Sequence, residues 1–327
     1  MNKLTNTVVL YHRGCNDGLA AAWAASKVLP EDTLYIQYQY GEELPPMVYD
    51  RHLILVDLSL TPEQIDSLYP NHIKSILIID HHKTAIEKLR DLPAVYSYSS
   101  YMLQRDEVEK PVWLLADTTR SGAVLTWAFF NNCLTTENWT AKIPPVLTYI
   151  EDYDLWKFNF GETMPANTWL LQGTSEFKRL DEMIDENGDV KKEVIDIGLM
   201  FMKYDQGISK TVRKNYVEEG VYQGHKFAII NGPHHLRNIM CDALNDTYAF
   251  SVCYSRRADR TVFSIRSVGP DVAVLAERFG GGGHAKAAAF SLPNTDPRLT
   301  DIVNIFKKPS IWRRFQLAAR VLFAKGA

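Results

Sequence analysis

The sequence predicts an α/β protein: a parallel-sheet N-terminal domain with helices on both faces, connected by a long helix to a smaller α/β domain. Three observations predict it. Short β-rich runs alternate with helical stretches through the first third of the chain, a long charged helical stretch follows, and strand patterning returns around Val221. The length of 327 residues, 46% hydrophobic and 23% charged, suits two globular domains.

Element by element, Val8 to Tyr11 reads as a strand, about Gly18 to Leu29 as a helix, and Thr33 to Tyr38 and Leu53 to Val56 as strands. A helix follows Thr61-Pro62, and Ile76 to Ile79 is the next strand. Helical patterning then covers Ser121 to Phe130, Pro144 to Tyr153 and a charged stretch from about Ser175 to Glu219. Lys226 to Asn231, Tyr248 to Tyr254 and Thr261 to Ser267 read as strands, before a helix near Asp271 to Phe279 and a glycine run. The expected division is residues 1–200, a linker helix over 201–222, a second domain over 223–300 and a basic amphipathic tail over 301–327. The plain reading of that tail is docking on its own protein.

A formal charge of −3 provides no broad basic surface, so long duplex DNA is not an expected partner. Cys15, Cys133, Cys241 and Cys253 lie far apart without CxxC spacing, which fits reduced thiols in a cytoplasm. The N-terminus lacks a signal peptide's apolar region, and no stretch approaches the roughly 20 apolar residues of a membrane helix. No membrane partner is expected.

In parallel sheets, sites form beyond the carboxyl ends of the strands. Here His12 to Asp17 follow the first strand, Asp57 follows Leu53 to Val56, and Asp80-His81-His82 ends Ile76 to Ile79. Neighbouring strands lie about 4.8 Å apart, so these side chains converge on one cluster. Crowded carboxylates repel unless a cation neutralises them, and mixed imidazole and carboxylate donors suit Mn²⁺, Fe²⁺, Co²⁺ or Zn²⁺. Two ions about 3.5–4 Å apart, bridged by a carboxylate, are a known solution for phosphoryl chemistry. The alternative is that each residue merely caps a helix after its strand. Farther along, Gly280-Gly281-Gly282-Gly283-His284 precedes Ala285-Lys286-Ala287-Ala288-Ala289. Read as a glycine turn entering a small-residue helix, it would bring backbone N–H groups to an anion.

These motifs resemble the DHH phosphoesterase superfamily with a DHHA1 second domain. Asp80-His81-His82 matches the motif that names the family, and Gly281-Gly282-Gly283-His284 matches the second domain's glycine-histidine motif, about 200 residues later. The likeness spans roughly residues 8 to 290. It implies a two-metal hydrolase of phosphoester or phosphoanhydride bonds working in the cleft between the domains, usually with Mn²⁺; Mg²⁺, Co²⁺, Fe²⁺ or Zn²⁺ are alternatives. By the same resemblance His12 and Asp57 hold the first metal, and Asp17, Asp57 and His81 hold the second. His82 polarises the substrate phosphate, and Asp80 orients a ligand histidine. The family's further aspartate falls in Glu151-Asp152-Tyr153-Asp154, with Asp152 favoured. The segment Asp117 to Ala123 resembles the start of the helix after the core strands, with Ser121 as its cap.

One departure concerns Cys15, which stands where the family's first motif usually has an aspartate. It is either a softer ligand that shifts metal preference toward Fe²⁺ or Zn²⁺, or a bystander. In the second domain, Arg266 leaves an alternating strand before Gly269-Pro270 and is a candidate bidentate phosphate contact. With Gly281, Gly282, Gly283 and His284 it forms the expected substrate-binding set.

Within the superfamily the short members act on small substrates. The expected function is therefore metal-dependent hydrolysis of short oligoribonucleotides from an end. Cyclic dinucleotides and 3′,5′-bisphosphorylated adenosine are the nearest alternatives, and a non-hydrolytic nucleotide-binding protein is the reading from another class. The expected partner is a short oligonucleotide or nucleotide, and a homodimer is compatible with the sequence.

Overall fold

The computed structural model describes residues 5–68, 73–104, 111–174 and 176–299. The chain forms two compact units that divide between Phe201 and Met202. The first contains β1 (Thr7–His12), α1 (Asn16–Ser26), β2 (Leu34–Tyr38), β3 (Arg51–Val56), α2 (Pro62–Leu68), β4 (Ile73–Asp80), α3 (Lys83–Leu89), α4 (Tyr98–Gln104), β5 (Val112–Ala116), α5 (Gly122–Phe130), α6 (Pro145–Asp154), α7 (Thr163–Leu171) and α8 (Phe177–Met183). Helix α9 (Lys192–Tyr216) runs from this unit into the second. There follow β6 (Val217–Tyr222), β7 (His225–Asn231), α10 (Arg237–Asp242), β8 (Phe250–Arg256), β9 (Arg260–Ser267), α11 (Ala273–Glu277), β10 (Gly282–His284) and β11 (Ala287–Pro293).

The first sheet is wholly parallel, in the order β2-β1-β3-β4-β5. Strands β1, β3, β4 and β5 are buried on both faces, as covered parallel strands are, whereas the edge strand β2 is partly exposed. Alternation divides their side chains between two cores. Val9, Tyr11, Ile54, Val56, Leu77 and Ile79 pack with α1, α5 and α6, whereas Val8, Leu10, Leu53, Leu55, Ile76 and Ile78 pack with α2 and the flanking loops. The chain moves from β1 to one side for β2 and to the other for β3, so the topological switch point lies between β1 and β3.

Register aligns the strand ends. Tyr11 pairs with Val56, and Val56 pairs with Ile79, so His12, Asp57 and Asp80 lie one residue further on in a single row. The three adjacent strands therefore deliver a histidine and two acids to the same edge.

The second unit is a mixed sheet, β10-β11-β9-β8-β7-β6, parallel only between β7 and β8. Two sequence expectations change here. The linker helix expected to reach residue 222 ends at Tyr216, because Val217 to Tyr222 pair antiparallel with His225 to Ile230. The alanine run after the glycines is strand β11, paired with β9, and not a helix. Sheet pairing overrides the helical preference of alanine. The basic tail from 301 lies outside the described residues. No helix among the described residues is long and apolar enough to cross a membrane.

Candidate functional site

The site is built at the β1/β3 switch. At Asp57 the backbone leaves β3 with φ +54, a left-handed conformation that aspartate tolerates better than most residues. Its N–H still bonds Ile79 O at 3.0 Å, so the turn is tied to β4. Gly122, at the start of α5, lies directly against it: a Cβ there would sit 2.7 Å from Asp57 Cβ and 2.9 Å from Asp17 Oδ2. Only glycine admits this approach. It lets the first N–H groups of α5 reach Asp17, with Gly122 N donating to Oδ2 at 2.7 Å and Ala123 N to Oδ1 at 3.0 Å. Ser121 caps the helix by accepting from Val124 N, as expected.

Four buried or partly buried groups face one another beside Asp17. His81 Nε2 lies 3.2 Å from Asp57 Oδ1, 3.4 Å from Asp154 Oδ2 and 3.8 Å from Asp17 Oδ2. On the other side of the carboxylate, His12 Nδ1 lies 3.7 Å from Asp57 Oδ2. Three sets offer ligand atoms within 4.8 Å of one another: His12, Cys15 and Asp57; Asp57, His81 and His82; and Asp17, His81 and Asp154.

Asp57 Oδ2 is buried and accepts no hydrogen bond. An anionic oxygen placed this way is costly unless a cation meets it, so the donor set fits a divalent ion on that side. The protonation equilibria reflect the same crowding. Burial, and then the charges of Asp57 and Asp154, push Asp17 well above the usual carboxylate range. Burial likewise raises Asp154 to about 6, although His81 acts in the opposite direction. For Asp57 burial is outweighed by the nearby rings of His12 and His81, only the second of which is within hydrogen-bond distance, and its pKa is lowered. His81 rises to about 10 because the surrounding carboxylates, Asp57 first, overcome its burial. Cys15, at the N-cap of α1, is raised well above an ordinary thiol by burial and then by Asp57, Asp154 and Asp17. A cation reverses that field and favours the thiolate.

Asp80 lies beneath this cluster and is fully buried. Its Oδ1 accepts from His81 N at 2.7 Å, His82 N at 3.1 Å and His82 Nδ1 at 2.7 Å, while Ser59 Oγ donates to Oδ2. The aspartate thus orients the ring of His82 and touches only the backbone of His81. Despite its burial, the bond to Asp80 raises His82 to about 9.

The expectation for Asp152 is also corrected. Asp152 turns away from the cluster and accepts from Asn159 N at 3.0 Å, Phe160 N at 3.3 Å and Thr163 Oγ1. Asp154 occupies the position beside His81. Two residues on a helix differ by about 200°, so only one of the pair can face the site. The signal was present in the sequence: Val146, Leu147 and Ile150 form the buried stripe of α6, and Asp154 continues it four residues after Ile150.

Sequence reasoning also missed Glu151, one turn before Asp154. Arg120 Nε and Ser121 N both donate to its Oε2 at 2.9 Å, and Arg120 Nη2 lies 2.9 Å from Oε1. Glu151 therefore fastens α6, which carries Asp154, to the start of α5, which grips Asp17.

The expected substrate-binding residues lie in the second unit. Arg266 Nη2 donates to Asn238 Oδ1 of α10 at 2.7 Å and Nη1 to Ile265 O of β9 at 2.8 Å, so its guanidinium bonds groups of its own unit. Gly281 is required sterically, since a Cβ would meet Ala289 O at 2.1 Å. Gly282, Gly283 and His284 form β10, and Gly283 and His284 are exposed.

No family model matches the chain. Among curated proteins, an uncharacterized protein R106 of Acanthamoeba polyphaga mimivirus is 25% identical over 317 residues, spanning 89% of this chain and 68% of that protein. Among solved structures, the chain is similar to an exopolyphosphatase-related protein from Bacteroides fragilis, with 13% identity, a TM-score of 0.49 and coverage of 91% and 90% of the two chains. It is also similar to PggH, a pGpG-specific phosphodiesterase from Vibrio cholerae, with 13% identity, a TM-score of 0.44 and coverage of 91% and 97%.

Proposed function

We propose that this chain is a divalent-metal-dependent phosphoesterase that hydrolyses short oligoribonucleotides from an end. The observation that carries the reading is Asp57, a buried carboxylate with Oδ1 toward His81 and a hydrogen-bond-free Oδ2 on the side of His12. That is what a carboxylate shared by two cations requires. His12, Cys15 and Asp57 would hold one ion, and Asp17, Asp57, His81 and Asp154 the other. When bound, such a pair supplies positive charge for the phosphoryl oxygens and acidifies water.

The remaining work falls to the chain's own residues. Asp17 is locked by two α5 N–H groups, so its direction is set before any ion binds. His82 has Nδ1 engaged by Asp80, which leaves Nε2 as the atom to donate to a phosphate oxygen. In the metal-free protein the bond to Asp80 raises the pKa of this ring to about 9. Mn²⁺ is the expected metal, and the single thiol is the donor that would draw the site toward Fe²⁺ or Zn²⁺.

Cyclic dinucleotides and 3′,5′-bisphosphorylated adenosine remain the nearest rival substrates. A nucleotide-binding protein without turnover is disfavoured by the cluster itself, since binding alone needs neither a shared carboxylate nor an oriented histidine. The test is a Mn²⁺-dependent assay on labelled dinucleotides, cyclic dinucleotides, bisphosphorylated adenosine and pyrophosphate. Turnover of the dinucleotides is expected. Tight binding of one compound with turnover of none would overturn the hydrolase.

A further inference from the structure

No hydrogen bond among the described residues orients the ring of His12, since Asp57 Oδ2 stands 3.7 Å from its Nδ1, beyond hydrogen-bond reach. A histidine that binds a metal ordinarily donates its second N–H to a carboxylate or carbonyl, which fixes the ring. Here two aromatic neighbours flank it instead. Tyr40 meets His12 edge to face, with centroids 5.7 Å apart and planes at 63°, and His82 meets it at 6.3 Å and 86°. His82 is held by Asp80. Tyr40 stands on the loop after β2 and is 47% exposed, so its hold must come from the loop itself.

Arg13, the residue after His12, fastens that loop. Its guanidinium takes both carboxylate oxygens of Glu42, at 2.5 and 2.9 Å, and donates to Gln37 O at 3.1 Å, while its backbone N–H bonds Tyr38 O at 3.0 Å. A two-point contact of this kind fixes direction as well as distance. Glu42 also closes the turn on itself: its Oε2 accepts from Gln39 N at 3.3 Å, its N–H bonds Gln39 O at 3.2 Å, and the Tyr38 hydroxyl donates to its backbone oxygen at 2.7 Å. Tyr40 lies inside this turn. At the tip of its ring Ser59 N donates to the phenol oxygen at 3.4 Å, and Ser59 Oγ donates to Asp80. Both ring neighbours of His12 are thereby tied to one network.

We propose that Tyr40 is a positioning residue: its edge-to-face contact keeps the ring of His12 turned toward Cys15 and Asp57, and the Arg13–Glu42 pair keeps Tyr40 in place. The inference deepens the phosphoesterase reading and rests on it only for what His12 would hold, one of the two divalent ions. His12, Cys15 and Asp57 offer ligand atoms within 4.8 Å of one another. Rotation of the imidazole to another χ1 well withdraws one of these three donors. The contact needs an aromatic ring and not a hydroxyl, so phenylalanine can make it and alanine cannot.

The test compares the full chain with Tyr40→Ala, Tyr40→Phe and Glu42→Ala by two readouts. In the metal-free protein, three-bond couplings report the χ1 rotamer of His12: one rotamer is expected in the wild type and in Tyr40→Phe, and averaging in Tyr40→Ala. In equilibrium dialysis, Tyr40→Ala should bind its weaker Mn²⁺ roughly 10- to 100-fold less tightly, and Tyr40→Phe should recover most of that loss. Glu42→Ala should shift the same ion in the same direction, by less, and add nothing once Tyr40 is alanine. A single His12 rotamer in Tyr40→Ala, unchanged Mn²⁺ affinity in that variant, or a loss in Tyr40→Phe as large as in Tyr40→Ala overturns the proposal. Should Tyr40→Ala not fold, unchanged affinity in Glu42→Ala overturns it instead. Turnover is measured separately. A wild type that hydrolyses none of the phosphoesters while Tyr40 still fixes the rotamer and the Mn²⁺ affinity sinks the hydrolase and leaves the positioning role standing.

Discussion

The carboxyl edge of the first sheet and the glycine edge of the second both looked like ligand sites in the sequence, yet different forces shape them. At the first, buried like charges stand within 4 Å of two histidines, and one carboxylate oxygen has no donor. Its geometry is an electrostatic problem that a cation solves. At the second, Gly281 is required because β11 passes too close for any side chain, and the exposed His284 and Lys286 lie beyond it. A motif of ionisable residues at strand ends thus speaks of chemistry directly. A motif of glycines speaks first of backbone proximity.

Substitutions can break this contrast. Asp57→Asn keeps the left-handed turn and removes the shared charge; turnover should fall about 10³-fold or more, the rate equivalent of several kcal/mol of charge stabilisation. Metal content by mass spectrometry of the native protein should fall with it, and near-wild-type activity would refute the assignment. Glu151→Ala strands Arg120 and Ser121 N, both largely buried. Urea unfolding should show a loss of about 3 kcal/mol, and metal affinity should weaken because Asp154 loses its strut.

Asp154→Asn and Asp152→Asn separate the two acids of α6. The first should weaken metal binding roughly 10- to 100-fold in equilibrium dialysis. The second should leave it close to wild type while raising protease sensitivity around residues 156–163. The opposite pattern would restore the original preference for Asp152. Gly281→Ala should destabilise the second unit by roughly 1–3 kcal/mol through the clash with Ala289 O, without altering metal content.

The smallest effect is pH-dependent. His82 has a raised pKa of about 9, so in the metal-free protein its bond to Asp80 contributes fully below about pH 6.5. That contribution is lost as the pH rises through about 9. Thermal melts of wild type and His82→Gln should therefore differ most near pH 6 and converge above pH 9.

Much of this was legible in the sequence for physical reasons. Strand-end residues in a parallel sheet must converge, so His12, Asp17, Asp57 and His81 could be grouped before any coordinates. Cys15 joined them through its position in the first motif, between His12 and Asp17, where the resembled family usually has an aspartate. Asp154 was missed because choosing between it and Asp152 requires the rotation of α6, which the stripe ending at Ile150 encodes only weakly. Glu151 and Gly122 were invisible because their partners lie about 30 and 65 or more residues away in the chain. The alanine strand was misread because local preference for helix lost to pairing with β9.

The left-handed turn at Asp57 also restricts how this protein could drift. Only aspartate, asparagine and glycine occupy such a backbone at low cost, and only the first brings a negative charge. A descendant that gave up the proposed hydrolysis while keeping its architecture would most cheaply carry asparagine or glycine there. One position therefore serves as a diagnostic letter, by which a working relative can be told from a retired one before either is purified.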